Sequence, residues 1–177
     1  MPYVYKLRAP FALSYTASMD WIDHRLVQAL QKDGRATQLE LAKQVKLSQP
    51  ATAERIRKLE EAGVITGYTA RVDASTLGKD VTAFVGVSIE HPKYFEQFAK
   101  KVLGLVEVLE CHRVAGADSY LLKVKTATTS TLDALLVETL RTIPGVTRTH
   151  TTIVLTSVKE ETRVHVPEAL LEEGARR

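Results

Sequence analysis

The stretch that decides the fold runs from Thr37 to Gly63, TQLELAKQVKLSQPATAERIRKLEEAG. Thr37-Gln38-Leu39-Glu40 is a capping box, in which the threonine and glutamate side chains satisfy the first free amides of a helix. Leu41, Ala42 and Val45 give that helix one apolar face. Lys46-Leu47 makes a short turn, and Ser48 caps the next helix. Pro50 sits in its first turn, where a missing N–H costs nothing. Ile56, Leu59 and Ala62 mark its buried side, and Gly63 ends it. Upstream, Asp20 to Asp33 is a further helix: Ile22, Leu26 and Leu30 recur every four residues beside Trp21 and Ala29, with Asp20 as cap and Gly34 as stop. Downstream, Val64 to Val72 (VITGYTARV) reads as two short strands around Gly67. Three helices, a tight turn and a hairpin describe a winged helix-turn-helix over residues 19–73.

The third helix carries the chemistry. Stepping 100° per residue from Ile56, the opposite face holds Pro50, Ala53, Glu54, Arg57 and Lys58, with Gln49 at the tip beside Ser48. A DNA major groove admits one α-helix, and a helix N-terminus points amides at phosphate. Arg57 suits guanine edges, Gln49 adenine, and Glu54 can accept from a cytosine amino group. Arg55, Lys58, Lys46 and Arg35 suit phosphate clamping. The plain alternative is a solvated charged face built of these same side chains with Glu60 and Glu61. The three-helix context favours double-stranded DNA as partner.

Residues 19–73 resemble the DNA-binding half of the leucine-responsive and asparagine-operon (Lrp/AsnC) regulators. The matching residues are Asp23-His24-Arg25, Leu30 through Arg35, Glu40-Leu41-Ala42, Leu47-Ser48, Arg55 through Ile65 and Gly67-Tyr68-Thr69-Ala70. Three positions depart from the pattern. Lys46 stands in place of the usual turn glycine, Thr52 in place of a core valine, and Glu54 in place of a base or small polar residue.

Residues 74–80 (ASTLGKD) read as a linker. Beyond it, strands are expected at Val81–Ile89, Leu105–Val114, Ser119–Val124 and Val146–Val158, with helices at Pro92–Val102 and Thr131–Ile143. The order βαββαβ is a ferredoxin-like unit, so the whole chain is α+β. Helices cover one sheet face, and the other calls for a partner, hence a homodimer or larger closed assembly. The resemblance continues over residues 81–159, through Leu109 to Gly116, Tyr120 to Val124, Ile143 to Val146, and Val158-Lys159. It implies the family's ACT-like amino-acid-sensing and assembly domain (residues 81–160), dimers that in some members build octamers, and an effector bound between subunits. By position, the implied effector residues are Gly116, Ala117, Asp118 and Ser119 in a turn, with Thr149, Thr151 and Thr152 on the last strand. Free amides after a glycine suit an α-carboxylate, and an acid suits an α-ammonium. Here Ser119 precedes Tyr120 where many members have aspartate, so Asp118 is either a ligand for the effector or a cap of its own turn.

The remaining features set bounds. The chain has 177 residues, 24 Lys and Arg against 21 Asp and Glu, and a net charge of +3. Residues 19–73 hold nine bases and eight acids, so DNA binding rests on local arrangement rather than bulk charge. No apolar run approaches the ~20 residues of a membrane span. A single cysteine, Cys111, excludes an intrachain disulfide framework and fits a cytoplasmic protein. Beside it, His112 is expected to point the other way, leaving a buried thiol and an exposed imidazole. The histidines show no ligand spacing, and no nucleophile, zinc or phosphate-loop motif is present. The chain is therefore read as a non-enzyme with no cofactor beyond a candidate amino-acid effector. Two other readings stand beside a sensing regulator: an architectural DNA organiser with no effector, and a small-molecule sensor whose helix-turn-helix makes protein contacts. Residues 1–18 (MPYVYKLRAPFALSYTAS) are an N-terminal arm, and residues 161–177 a tail with a Pro-started segment at 168–173 that suits a short helix.

Overall fold

The computed structural model describes residues 19–172, so the expected N-terminal arm lies outside the described residues. The chain divides into two compact units. One contains residues 19–71 together with 160–172, and the other is Val72–Lys159.

The first unit is built on α1 (Trp21–Lys32), α2 (Gln38–Val45) and α3 (Gln49–Glu61). Local chemistry explains each start. Asp20 caps α1 in a reciprocal box with Asp23, Thr37 and Glu40 do the same for α2, and the Ser48 hydroxyl accepts from the Ala51 amide at the head of α3. Leu26, Leu41, Val45 and Leu59 are buried together as the core, with Ile22, Leu30, Leu47, Ile56 and Val64 packed on it. The turn between α2 and α3 puts Lys46 in the left-handed region, at φ 56° and ψ 40°. It is the only described residue other than glycine with positive φ. Thr52 is fully buried, and its hydroxyl donates to the Ser48 carbonyl at 3.0 Å.

The expected hairpin after Gly63 does not form. Val64 and Ile65 both donate to the Leu59 carbonyl, closing off α3, and the chain then runs on to residue 72 without a ladder. Two short strands alone are marginal in water, and these residues have other partners. Tyr68 donates its hydroxyl to Glu60 at 3.0 Å, and Arg71 donates to the Glu160 carbonyl at 2.9 Å. The wing is thus an extended segment pinned to α3 and to the returning C-terminal chain. That chain carries one 3-10 turn, Glu168–Leu170, within the segment 168–173 expected to suit a short helix, whose last residue lies outside the described residues.

The second unit begins with a 3-10 turn at Ser75–Leu77 inside the expected linker. It contains β1 (Val81–Ile89), α4 (Phe95–Val102, entered by a 3-10 turn at Pro92–Tyr94), β2 (Val108–Arg113), β3 (Tyr120–Thr126), α5 (Thr129–Ala134) and β4 (Val146–Ile153). The sheet is antiparallel with order β2-β3-β1-β4, the ferredoxin-like arrangement. Ala83, Val85, Val87, Tyr120, Leu122 and Val124 face the helices and bury Phe98, Val102, Leu132, Leu135 and Leu140.

Several boundaries shift from expectation. The second helix starts earlier because Thr128 and Thr131 form a capping box, and after Ala134 it widens into a π-turn at Leu135–Leu140. The wide turn lets Leu135 and Leu140, five residues apart, share the buried side. Strand β4 stops at Ile153, opposite Ala83, with one further bond from the Val154 amide to the Thr82 carbonyl at 2.9 Å. Strand β2 starts at Val108, and a register shift between Val108 and Glu110 leaves Leu109 exposed.

Candidate nucleic-acid interface and effector turn

The outer face of α3 exposes Gln49, Pro50, Glu54, Arg57 and Lys58, with Ala53 half-buried among them and Ser48 at the tip. Thr52, Ile56 and Leu59 occupy the opposite side against the core. The residues expected to read bases therefore share one exposed face.

Their charges are engaged with one another. Arg57 donates two bonds to Glu54, at 2.9 and 2.6 Å, and a further one to Glu61 one turn on. Lys58 lies 3.8 Å from the same Glu54 carboxylate. The bond from Arg57 holds the Glu54 carboxyl below the usual carboxylate range, and the two acids raise the pKa of Arg57. Such exposed pairs are weak and exchange readily with other ions. Glu54 thus orients Arg57 while also screening it.

Arg55 corrects the sequence reading. It was expected as a phosphate clamp, but its guanidinium turns to α1 and bonds Asp20 at 3.0 Å and Asp23 at 2.8 Å. The reason is its place on the helix. Arg55 follows Thr52 by three residues and precedes Leu59 by four, so it sits at the margin of the buried face. Arg55 fixes α3 to α1. Arg35 and Lys46 are exposed, and among the described residues neither side chain makes an ion pair. The backbone amide of Arg35 donates to Asp33 at 2.9 Å.

The effector turn joins β2 to β3. Gly116 adopts φ 155°, a conformation open to glycine. Ser119 ties the turn to β1: its amide donates to the Val87 carbonyl at 2.9 Å, and its hydroxyl accepts from the Ile89 amide at 3.1 Å. Ahead of Ser119, the amides of Gly116, Ala117 and Asp118 have no partner among the described residues. Asp118 folds its carboxylate over β1 at Gly86, where a Cβ would collide with it. Ser88 donates to Asp118 Oδ1 at 3.0 Å, and Arg148 of β4 approaches the same oxygen at 3.5 Å. The Asp118 side chain is 22% exposed and that of Arg148 is 62% exposed.

The three threonines do not converge. Thr149 and Thr151 pair with Val87 and Val85, so they stand on the helix-covered side. Thr149 accepts from Arg141 at 3.0 Å. Thr152 pairs with Phe84 on the open side, the side that holds Gly86, Ser88, Arg148 and Asp118. Grouping three near-adjacent strand positions overlooked the two-residue repeat. Arg148, Ser88 and Gly86 were missed. A glycine within a β-branched strand was the available signal, because it marks a close approach.

Elsewhere the sheet behaves as read. Cys111 packs on the core, where burial raises its thiol to about 11, while His112 is exposed and bonds Glu110 at 3.0 Å. Among the described residues no group of acids, histidines and cysteine is arranged to hold a metal, and no helix is long and apolar enough to cross a membrane.

Comparison with known proteins assigns the two units separately. The Lrp/AsnC ligand-binding domain matches residues 82–164, and a winged helix-turn-helix DNA-binding domain matches residues 19–66. The leucine-responsive regulatory protein of Escherichia coli K12 is 41% identical over 148 residues, covering 82% of this chain and 90% of that protein. The Klebsiella pneumoniae protein of the same name matches with the same identity and coverage. Among solved structures, a Neisseria meningitidis transcriptional regulator in complex with L-methionine superposes with TM-score 0.81 at 30% identity, over 86% of this chain and 99% of that one. Escherichia coli AsnC superposes with TM-score 0.76 at 31% identity, over 82% and 97%. A feast or famine regulatory protein of M. tuberculosis complexed with L-methionine gives 0.76 at 38% identity, also over 82% and 97%. With both units in order and the helix-turn-helix face exposed, the chain belongs to the Lrp/AsnC family of helix-turn-helix transcription regulators.

Proposed function

We propose that this regulator binds operator DNA as a dimer or larger assembly and that a free amino acid alters that binding. The observation that carries the effector reading is the turn at Gly116–Asp118. Three successive amides, without partners among the described residues, lie beside a carboxylate, an arrangement that matches the two ends of an α-amino acid. The α-carboxylate takes the amides, and the α-ammonium takes Asp118, with Thr152 on the same sheet face. Thr149 and Thr151 belong to the far side and are left out. Two relatives complexed with L-methionine support a small amino acid as the ligand class.

On DNA, Gln49, Glu54 and Arg57 meet base edges, with Pro50 and Ala53 as the groove-facing surface between them. Ser48, Lys58, Lys46 and Arg35 meet phosphate. Arg55 acts through α1, as a positioning residue. Assembly uses the open sheet face, where Phe84 and Leu121 are 39% and 37% exposed among Lys123, Glu110 and His112. A second copy is the natural cover for an apolar strip on a self-complementary sheet. The protein acts where DNA is, in the cytoplasm, and by binding rather than by catalysis.

The test is a mobility shift on the gene's own upstream DNA against random competitor, repeated with each of the twenty amino acids. Specific binding altered by one or a few of them is the expected result. Specific binding indifferent to the whole panel would leave a DNA organiser and remove the effector reading.

A further inference from the structure

We propose that residues 160–171 are a docked strap completing the DNA-binding unit, and that the outward face of α1 is the surface that receives it. The contacts span long sequence separations and read backbone rather than side chains. The Gln31 side-chain amide donates to the Val164 carbonyl at 3.0 Å and accepts from the Val164 amide at 2.7 Å. A neighbouring strand offers a residue this same pair of bonds. One turn and a half earlier on α1, Arg25 donates to the Leu171 carbonyl at 2.8 Å, with its guanidinium 5.1 Å from the centre of the Trp21 ring. At the near end Arg71 donates to the Glu160 carbonyl at 2.9 Å, and Glu161 pairs with Arg163 at 2.7 Å. Val166, Leu170 and Leu171 are half-buried, which gives the docked segment its register. The surface therefore fits an extended peptide with a few apolar side chains, and its occupant is the chain's own C-terminal segment.

The strap bears on DNA reading through α1. Its receiving helix also holds Asp20 and Asp23, the two acids that fix Arg55 of α3. Strap, α1 and recognition helix thus form one continuous set of contacts. Residues 165–172 lie beyond both matched family domains, so this part of the strap belongs to neither. The DNA-binding unit is discontinuous in sequence: a fragment ending at residue 73 lacks one of its parts.

Three variants test the proposal: a truncation after Lys159 and, in the full chain, Gln31→Leu and Gln31→Glu. Hydrogen exchange is read at the Val164 amide and along α1, together with affinity for the upstream DNA. In the unaltered protein the Val164 amide exchanges about tenfold or more slower than a free amide. Gln31→Leu removes both bonds and abolishes that protection, while Gln31→Glu keeps the acceptor and retains most of it. A general loss of stability would not separate these two variants. Truncation speeds exchange along α1 and weakens DNA binding by about threefold or more, and adding a peptide of residues 160–172 restores both. An unprotected Val164 amide in the unaltered protein overturns the proposal. So does a truncated chain with unchanged α1 exchange and unchanged DNA affinity. If the truncated chain does not fold, the two Gln31 variants decide alone.

Discussion

Lys46→Gly should make the DNA-binding unit more stable and its grip on DNA weaker. Lys46 ends α2 at φ 56° and ψ 40° with its amide donating to the Ala42 carbonyl. An L-residue in that region crowds its Cβ against the backbone, at a cost of about 1–2 kcal/mol. Glycine escapes the crowding but adds freedom to the unfolded chain, worth about 0.4–1 kcal/mol in the other direction. The difference is a net stabilisation of about 0.5–1 kcal/mol. For a unit of this size that raises the melting temperature by about 3–6 °C. Lys46→Ala keeps the Cβ, so its stability should stay within about 0.5 kcal/mol of the parent. Both variants remove one cation from the proposed phosphate contacts. The slope of log affinity against log salt should therefore fall by about 0.9 in each. Thermal unfolding of the three proteins and a salt series on one DNA duplex provide the measurements. Equal stability for the glycine and alanine variants would refute the backbone argument. An unchanged salt slope would remove Lys46 from the interface.

Thr52→Val removes a buried hydroxyl whose acceptor, the Ser48 carbonyl, also receives the Thr52 amide at 3.0 Å. No polar group is orphaned, so urea unfolding should show a change within about 1 kcal/mol, towards greater stability; a loss of about 2 kcal/mol or more would contradict this. Arg57→Ala should cost about tenfold in discrimination between operator and random DNA, whereas Lys58→Ala weakens both alike. Equal losses from the two changes would sink the assignment of Arg57 as a base reader. Glu54 titrates below its ordinary value of 4.5 because Arg57 bonds it. Since the folded pKa is the depressed one, the stability this pair contributes is present above pH 4.5 and fades as pH falls through the folded value. In Arg57→Ala the Glu54 resonance should move back towards 4.5 by NMR titration. Arg148 approaches the Asp118 oxygen that an α-ammonium would use, at 3.5 Å. Arg148→Ala should therefore tighten amino-acid binding by about two- to fivefold in calorimetry, and weaker binding would show instead that Arg148 holds the ligand.

What the sequence determined by itself was local order. The caps at Asp20, Thr37 and Ser48, the apolar faces of the helices and the alternation of β1 all follow from contacts within four residues or from a two-residue repeat. The βαββαβ succession then constrains the sheet, because strands joined through helices on one face have few ways to pair. The resemblance marked Lys46 as standing where a glycine is usual, but its left-handed backbone, φ 56°, is a finding of the structure. Tertiary structure decided where each charged or extended group found its partner. Arg55 and Arg57 are two positions apart and equally basic, yet one is spent on Asp20 and Asp23, 35 and 32 residues away, and the other on its own helix. Val64 to Val72 has the composition of a hairpin, but Tyr68 and Arg71 are claimed by Glu60 and Glu160. The C-terminal segment shows little pattern of its own, yet Gln31 and Arg25 hold it from 133 and 146 residues away. Periodicity records which side of an element is apolar. It carries no record of which distant carbonyl or carboxylate will stand opposite a given guanidinium or amide, because only the closed chain brings them within hydrogen-bond reach.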